Sequence, residues 1–381
     1  MSDIRTHFFT QFNYTPSLAV QSPGRINLIG EHTDYNQGFV MPAAIDKSVQ
    51  VAIGKRTDGT IHMAAMDLNE TVVLSIENLK PHATQWVNYI IGVVHQASIT
   101  QGFDICLQGN IPIGAGLSSS AAVACAVLFA LNELYALQYT KMEMALMVQK
   151  AEHDFAGVQC GLMDMFASLH GQKNKVILLD CATHTYQYYP LHLTDYSIVL
   201  FDTQIKHALA SSEYNTRRLE CEQGVQVIQK MYPQVQSLRD ATMEQVETCL
   251  GPSTATPPKI YQRCSYVVSE ILRVQEAVID LETGNIPAFG KKMYATHEGL
   301  STQYEVSCPE LDFLVDAVRP NENVIGARMM GGGFGGCTIN IIKKSALATV
   351  TKQVAASYAQ QTNKVLAVYI ISIEAGTHVI K

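Results

Sequence analysis

The chain has 381 residues, 47% hydrophobic and 16% charged, which suits two domains, or three, with ordinary cores and excludes an intrinsically disordered protein. Its 27 Lys and Arg against 34 Asp and Glu leave a net charge of −7, so no basic excess draws it to DNA or RNA. A polyanionic ligand must therefore be held locally, by backbone amides, a few cations and a metal.

Nine cysteines are scattered along the chain, with no Cys-x-x-Cys pair. An odd count without that spacing argues against a disulfide framework and against a thiolate zinc site. The N-terminal residues, from Met1 and Ser2 to His7, lack the charged-then-apolar pattern of a signal peptide. The longest apolar run, residues 121–131, falls well short of the roughly 20 residues that span a bilayer. The expectation is a cytoplasmic protein, without membrane or nucleic-acid partners, and a monomer.

In chain order, residues 18–20 read as a strand leading into a turn-rich segment, and residues 49–53, 61–65 and 72–76 read as strands. Residues 86–96 read as a helix and 103–107 as a strand. A Gly/Ser-rich turn then opens a helix through Leu134, and Thr140 with Glu143 three residues on forms a capping-box signature for the next helix. Residues 176–180 and 197–201 read as strands. The second half is more helical, with apolar spacing over 211–231 and 263–282 and a loop between them marked by Gly251-Pro252 and Pro257-Pro258. A glycine-rich stretch at 326–337 precedes strands at 338–342 and 365–371. No linker or repeat separates the halves, so a boundary near residue 200, dividing 1–200 from 201–381, should be tight.

Two segments carry chemistry. The first is the turn Gly114-Ala115-Gly116-Leu117-Ser118-Ser119-Ser120, set between a strand and an Ala/Val/Leu-rich helix. A helix start has unpaired amide donors and the positive end of the macrodipole. Glycines admit a ligand close to the backbone, and serine hydroxyls add donors or a metal ligand, so the segment suits a phosphate cradle. An ordinary serine-capped helix is the alternative, although one serine suffices for a cap. The Gly-Lys-Ser/Thr of a P-loop and the Rossmann glycine spacing are both absent.

The second segment, Gly24-Arg25-Ile26-Asn27-Leu28-Ile29-Gly30-Glu31-His32-Thr33-Asp34-Tyr35, packs Arg, Asn, Glu, His and Asp into a loop-prone stretch. Such a fan of polar groups suits a polyol. A solvated turn and a metal site are the alternatives, but the helical His-x-x-x-His spacing of zinc enzymes is missing.

Together with Gly331-Gly332-Gly333-Phe334-Gly335-Gly336-Cys337, these segments resemble the three motifs of the GHMP kinases. The first motif looks like the galactokinase signature rather than that of mevalonate or homoserine kinases. Further similar stretches are Gln85-Trp86-Val87-Asn88-Tyr89, Ala151-Glu152-His153, Cys160-Gly161-Leu162-Met163-Asp164 and Ser212-Glu213-Tyr214-Asn215-Thr216-Arg217-Arg218, all in the family's order. The resemblance implies an α+β fold of two domains, the N-terminal one like domain 2 of ribosomal protein S5 and the C-terminal one ferredoxin-like, with the site in the cleft between them. It implies ATP-dependent phosphorylation of galactose at its C1 hydroxyl, the opening step of the Leloir route, with Mg²⁺ as cofactor. Carried over residue by residue, Glu31, His32, Thr33, Asp34 and Tyr214 bind sugar, Asp164 binds sugar and acts as base, and Arg25 stabilises the reacting phosphoryl group. Gly114 to Ser120 hold the phosphates, Trp86 lies near the adenine, Ser120 and Glu152 hold Mg²⁺, and the glycine run at 331–336 supports the phosphate loop. Met165 departs from the Gln that the family pattern leads one to expect after the Asp.

Other residues carry plainer expectations. His153 is structural, since nothing pairs with it to make a relay. Cys160 and Cys337 lack a base to activate them. Met142, Met144 and Met147 pack a helix. Arg217 and Arg218 form a solvated or ion-paired helix face, with contact to phosphate as the lesser alternative. A kinase for a related sugar, such as N-acetylgalactosamine or arabinose, is the near alternative. A galactose sensor without phosphoryl transfer is the distant one, disfavoured by the intact serine turn and Asp164. An interaction protein without a small ligand leaves the polar clusters unexplained.

Overall fold

The computed structural model describes residues 3–205 and 210–381, so Met1 and Ser2 of the N-terminal stretch, and the side chain of Ser212, lie outside the described residues. The chain begins with helix α1 (Ile4–Phe12) and strand β1 (Leu18–Asn27), then β2 (Phe39–Val40), β3 (Pro42–Lys55), β4 (Thr60–Ala65) and β5 (Glu70–Ser75). Helix α2 (Gln85–Gln96), strand β6 (Phe103–Gly109), and helices α3 (Ser119–Tyr135), α4 (Lys141–Ala151) and α5 (Met163–His170) follow. Strands β7 (Lys175–Asp180) and β8 (Tyr186–Pro190) form a small sheet with β2. Helix α3 is apolar around most of its circumference because most of it is buried, lying on β1 and β3 with α2, α4 and α5 around it and Glu133 left exposed. The Thr140/Glu143 capping box starts α4 as the sequence predicts.

The second lobe opens on β9 (Tyr196–Asp202) and runs through helices α6 (Ala210–Gln229), α7 (Met243–Leu250), α8 (Pro258–Glu282), α9 (Ile286–Thr302) and α10 (Pro309–Val318). Strands β10 (Val324–Met329) and β11 (Cys337–Lys343), helix α11 (Leu347–Thr362) and strands β12 (Ala367–Ile371) and β13 (His378–Val379) complete the chain. Its four-stranded antiparallel sheet has the order β10-β11-β9-β12. With helices filling the first and last connections, that is the β-α-β-β-α-β pattern of a ferredoxin-like lobe.

Four features depart from the sequence reading. The segment between α6 and α8 is not all loop. Thr242 and Gln245 form a capping box for α7, and Pro258 starts α8 at a first-turn position where its missing N–H costs nothing. Arg25 lies on a strand, not in a loop: β1 continues through the motif to Asn27, with a register shift between Pro23 and Arg25. The division between residues 200 and 201 falls inside β9, whose seven residues all pair with β11. Finally, the tail returns to the first lobe, where β13 pairs with β1 and makes the edge of a six-stranded sheet ordered β13-β1-β3-β6-β4-β5. Two chain crossings therefore tie the lobes together, and one continuous core runs through both.

Candidate active site

The Gly/Ser turn runs through left-handed backbone that glycine adopts freely and serine adopts only at a cost. Gly114 and Gly116 have φ of 84° and 76°, and Ser118 sits in the left-handed region at φ 56°. Ser118 occupies the position before α3, yet its side chain makes no cap hydrogen bond. Its hydroxyl instead donates to the Asp164 carboxylate. The ordinary serine cap is thus absent, and the first-turn amides of α3 are left to an outside acceptor. The glycine run of the other lobe lies directly behind. A Cβ on Gly331 would stand 3.3 Å from the Gly116 carbonyl, and one on Gly336 would stand 3.3 Å from Ala115. Gly333 and Gly335 combine positive φ with backbone contacts that exclude any side chain. Small residues here let one lobe's loop rest on the other's.

At the centre, Arg25 grips Asp164 with two parallel hydrogen bonds, Nε to Oδ1 at 2.8 Å and Nη2 to Oδ2 at 2.9 Å. This fork is the strong planar form of the Arg–carboxylate pair. The third nitrogen, Nη1, donates to the Gly116 carbonyl at 2.7 Å, so Arg25 joins the carboxylate to the glycine-serine turn. Arg25 is buried, while Asp164, on the first turn of α5, keeps its side chain 25% exposed toward the cavity. Met165 is fully buried in the core, so the position expected to carry a Gln contributes packing.

The predicted sugar residues divide into two groups. Glu31, His32, Asp34 and Tyr214 line one cavity of about 170 Å³ together with Arg25, Ser120, Glu152, Gly161, Asp164 and Gly332. Thr33 does not line it: its hydroxyl is turned back to the carbonyls of Gly30 and Phe39, where it stitches the loop shut. Glu31 is also heavily engaged by protein. It accepts from Asn27, from the Gly331 amide at 2.6 Å and from the fully buried Arg328 at 3.1 Å, so it clamps the polar loop to the second lobe. Burial, reinforced by Asp164, raises the Asp34 carboxyl to about 7. Burial also lowers the His32 imidazole to about 3, with Arg217 adding to the shift and the Gly332 backbone opposing it.

Asp34 lies flat against Gly161, where a Cβ would sit 1.9 Å from Oδ2. Gly161→Ala must therefore displace the Asp34 carboxylate. The expected result is a galactose KM raised about 10- to 100-fold, the cost of losing hydrogen bonds to a charged group. Steady-state kinetics checks it, and an unchanged KM in a folded variant rejects the role given to Asp34.

Glu152 begins a π-helical turn (Glu152–Ala156) after α4 and is buried. Its Oε2 accepts from the Cys160 thiol at 3.4 Å, but Oε1 has no partner among the described residues. Burial, with Asp164 second, raises its carboxyl to about 7. A buried, unpartnered carboxylate oxygen in a cavity shared with Ser120 fits a hard cation with phosphate oxygens as further ligands. The described residues hold no cluster of three or more His, Cys, Asp or Glu, so the protein alone does not complete a metal sphere. Trp86 stands outside this cavity and donates from its indole to Glu70 at 2.6 Å, while Tyr89, one turn on, lines it.

The plainer expectations also find their places. His153 meets the Cys160 carbonyl at 2.9 Å. All nine cysteines are free thiols. Arg217 and Arg218 follow the ion-paired alternative: Arg217 is buried, donates to the Tyr304 and Glu305 carbonyls and pairs with Glu213 and Glu220, and Arg218 pairs with Glu222. Sequence reasoning missed Arg328, Tyr304 and Gly161 as parts of the site. Arg328 stands just before the glycine run, and a lone arginine among apolar residues was the only local signal of a buried role.

The GHMP kinases N terminal domain matches residues 87–172, the GHMP kinases C terminal domain matches residues 277–360, and the galactokinase galactose-binding signature matches residues 6–55. A galactokinase of Roseiflexus sp. (strain RS-1) is 37% identical over 98% of this chain and 96% of its own. One of Thermotoga maritima is 40% identical over 90% of this chain and 94% of its own. The crystal structure of Lactococcus lactis galactokinase complexed with galactose superposes with a TM-score of 0.93 at 31% identity, covering 98% of each chain. The cavity that gathers Ser120 from the end of the glycine-serine turn, Asp164 and the polar residues Arg25, Glu31, His32 and Asp34 thus sits in a chain that belongs to the GHMP kinase family, among its galactokinases.

Proposed function

We propose that this protein transfers the γ-phosphoryl group of ATP to the C1 hydroxyl of α-D-galactose, giving galactose 1-phosphate and ADP, the opening step of the Leloir route. The observation that carries the reading is the Arg25–Asp164 fork, set between the uncapped start of α3 and the polar loop of Glu31, His32 and Asp34. Phosphoryl transfer passes through a loose transition state and needs positioning and charge stabilisation more than covalent help.

The amides from Gly114 to Ser120 hold the phosphates, and the glycines at 331–336 keep that loop curled. Ser120 and Glu152 would hold Mg²⁺, which when bound neutralises charge on the phosphate oxygens. Asp34, His32 and Tyr214 orient the sugar. The C1 hydroxyl replaces Ser118 on Asp164 and gives its proton to that carboxylate as the new oxygen–phosphorus bond forms. The bond from the γ-phosphorus to the β,γ-bridging oxygen breaks, and ADP leaves with that electron pair. Arg25, within reach of both reactants, offsets the charge that builds between them.

The deciding experiment is ATP-dependent formation of sugar 1-phosphate with Mg²⁺ supplied and withheld, on galactose, N-acetylgalactosamine and arabinose. No galactose turnover, or better turnover of another sugar, overturns the reading. For the cation, Glu152→Gln should raise the Mg²⁺ concentration for half-maximal rate by about tenfold or more, as removal of a charged ligand does. Because it also removes an unpartnered buried charge, the Tm of the metal-free variant should not fall. An unchanged Mg²⁺ requirement excludes Glu152 as a ligand.

A further inference from the structure

His32 is 5% exposed, lines the sugar cavity with the Gly332 backbone beside its ring, and carries a buried Nε2 that makes no well-formed hydrogen bond among the described residues. Its other ring nitrogen is fully committed. Nδ1 lies 2.7 Å from the Tyr35 hydroxyl, and that hydroxyl lies 2.8 Å from the hydroxyl of Tyr304. The chain of polar atoms continues to the Cys221 thiol, 3.3 Å from Tyr304 and in turn beside the Asn36 side chain. Tyr304 comes from the second lobe, between α9 and α10, and is completely buried against the His32 ring at a centroid distance of 4.8 Å.

A neutral imidazole carries one proton, and the partner of one nitrogen decides which state the other presents. An imidazole lone pair is a stronger acceptor than a phenol oxygen. The favoured direction is therefore Tyr304 donating to Tyr35, and Tyr35 donating to Nδ1, which leaves the proton on Nε2. Tyr304 matters in this scheme because it occupies the Tyr35 oxygen as an acceptor and so keeps the Tyr35 proton aimed at His32.

We propose that Tyr35, backed across the lobe interface by Tyr304, is a positioning residue that fixes His32 as the Nε2–H tautomer and so presents a single N–H donor to an acceptor oxygen of the sugar. The sugar half of this statement rests on the proposed function; the tautomer half does not. The relay also makes sugar recognition depend on the seating of the second lobe, since the end of α9 must be in place for Tyr35 to be held.

The test uses ring-nitrogen NMR of the free, full-length protein labelled at histidine, with His32 assigned by difference against His32→Gln. The wild-type spectrum should show the Nε2–H pattern for His32. Tyr35→Phe should convert it to a mixture or to the Nδ1–H form and raise galactose KM about 5- to 10-fold, the size of one hydrogen bond, with kcat changed by less than about twofold. Tyr304→Phe, which keeps the direct Tyr35 contact, should act in the same direction but more weakly. Should the buried Tyr304 variant fail to fold, Tyr35→Phe alone decides. An Nδ1–H His32 in the wild type, or an unaltered tautomer in both variants, overturns the relay. An altered tautomer with unaltered KM overturns its link to the sugar. A wild-type protein that phosphorylates no galactose refutes the proposed function and leaves the tautomer result standing by itself.

Discussion

Asp164→Asn is expected to lower kcat by about 10²- to 10⁴-fold, the range lost with a positioned general acid or base. Galactose binding should weaken by no more than about tenfold, because the amide retains the shape and one acceptor of the carboxylate. The amide keeps only one acceptor oxygen. One end of the Arg25 fork, now 2.8 and 2.9 Å from two carboxylate oxygens, would face an NH₂ group instead. The variant therefore removes the proton acceptor and disturbs the cation beside it, but leaves Asp34, His32 and Tyr214 where they are. Turnover is followed by ADP release and binding by calorimetry. Near-normal turnover with retained binding would reject Asp164 as the group that orients and deprotonates the sugar.

Arg25→Ala should lower kcat by about 10²- to 10³-fold, the scale set by removing one donor aimed at developing charge, and should raise galactose KM much less. The opposite split, a raised KM with kcat intact, would make Arg25 a sugar ligand only. A second consequence follows from the same geometry. Without the guanidinium, Asp164 shares its cavity with Asp34 and Glu152 and no neutralising Arg25. The loss of stability should stay below the roughly 3–5 kcal/mol of a fully buried broken pair, since the Asp164 side chain remains 25% exposed. Because the two residues act as one unit, the Arg25→Ala/Asp164→Asn double variant should be scarcely slower than the worse single one.

Much of this site was legible in the chain. The helix that starts at Ser119, the capping box at Thr140, most strands of the first lobe and the glycine run before β11 all announce themselves through neighbours within a few residues. The polar signature and the serine turn also declare the kind of ligand they suit. Their partnerships were not legible. That Ser118 serves Asp164 and not its own helix follows from α5 being packed beside α3, and no rule of local capping contains that fact.

Glu31 illustrates the same limit. Read locally, it is one more acceptor in a fan of polar groups; folded, it clamps Arg328 and the Gly331 amide of the other lobe. Arg25 and Asp164 stand 139 residues apart, Tyr35 and Tyr304 stand 269 apart, and Glu31 and Arg328 stand 297 apart. Backbone conformation is set by steric and hydrogen-bonding preferences that act over a turn or two, so the sequence by itself determined where the elements begin and what chemistry they carry. Which buried charge meets which carboxylate, and which hydroxyl steers His32, depends on lobes that close only when their cores pack. The tertiary structure alone could decide those pairings, because a desolvated polar group takes whatever partner that packing brings within reach.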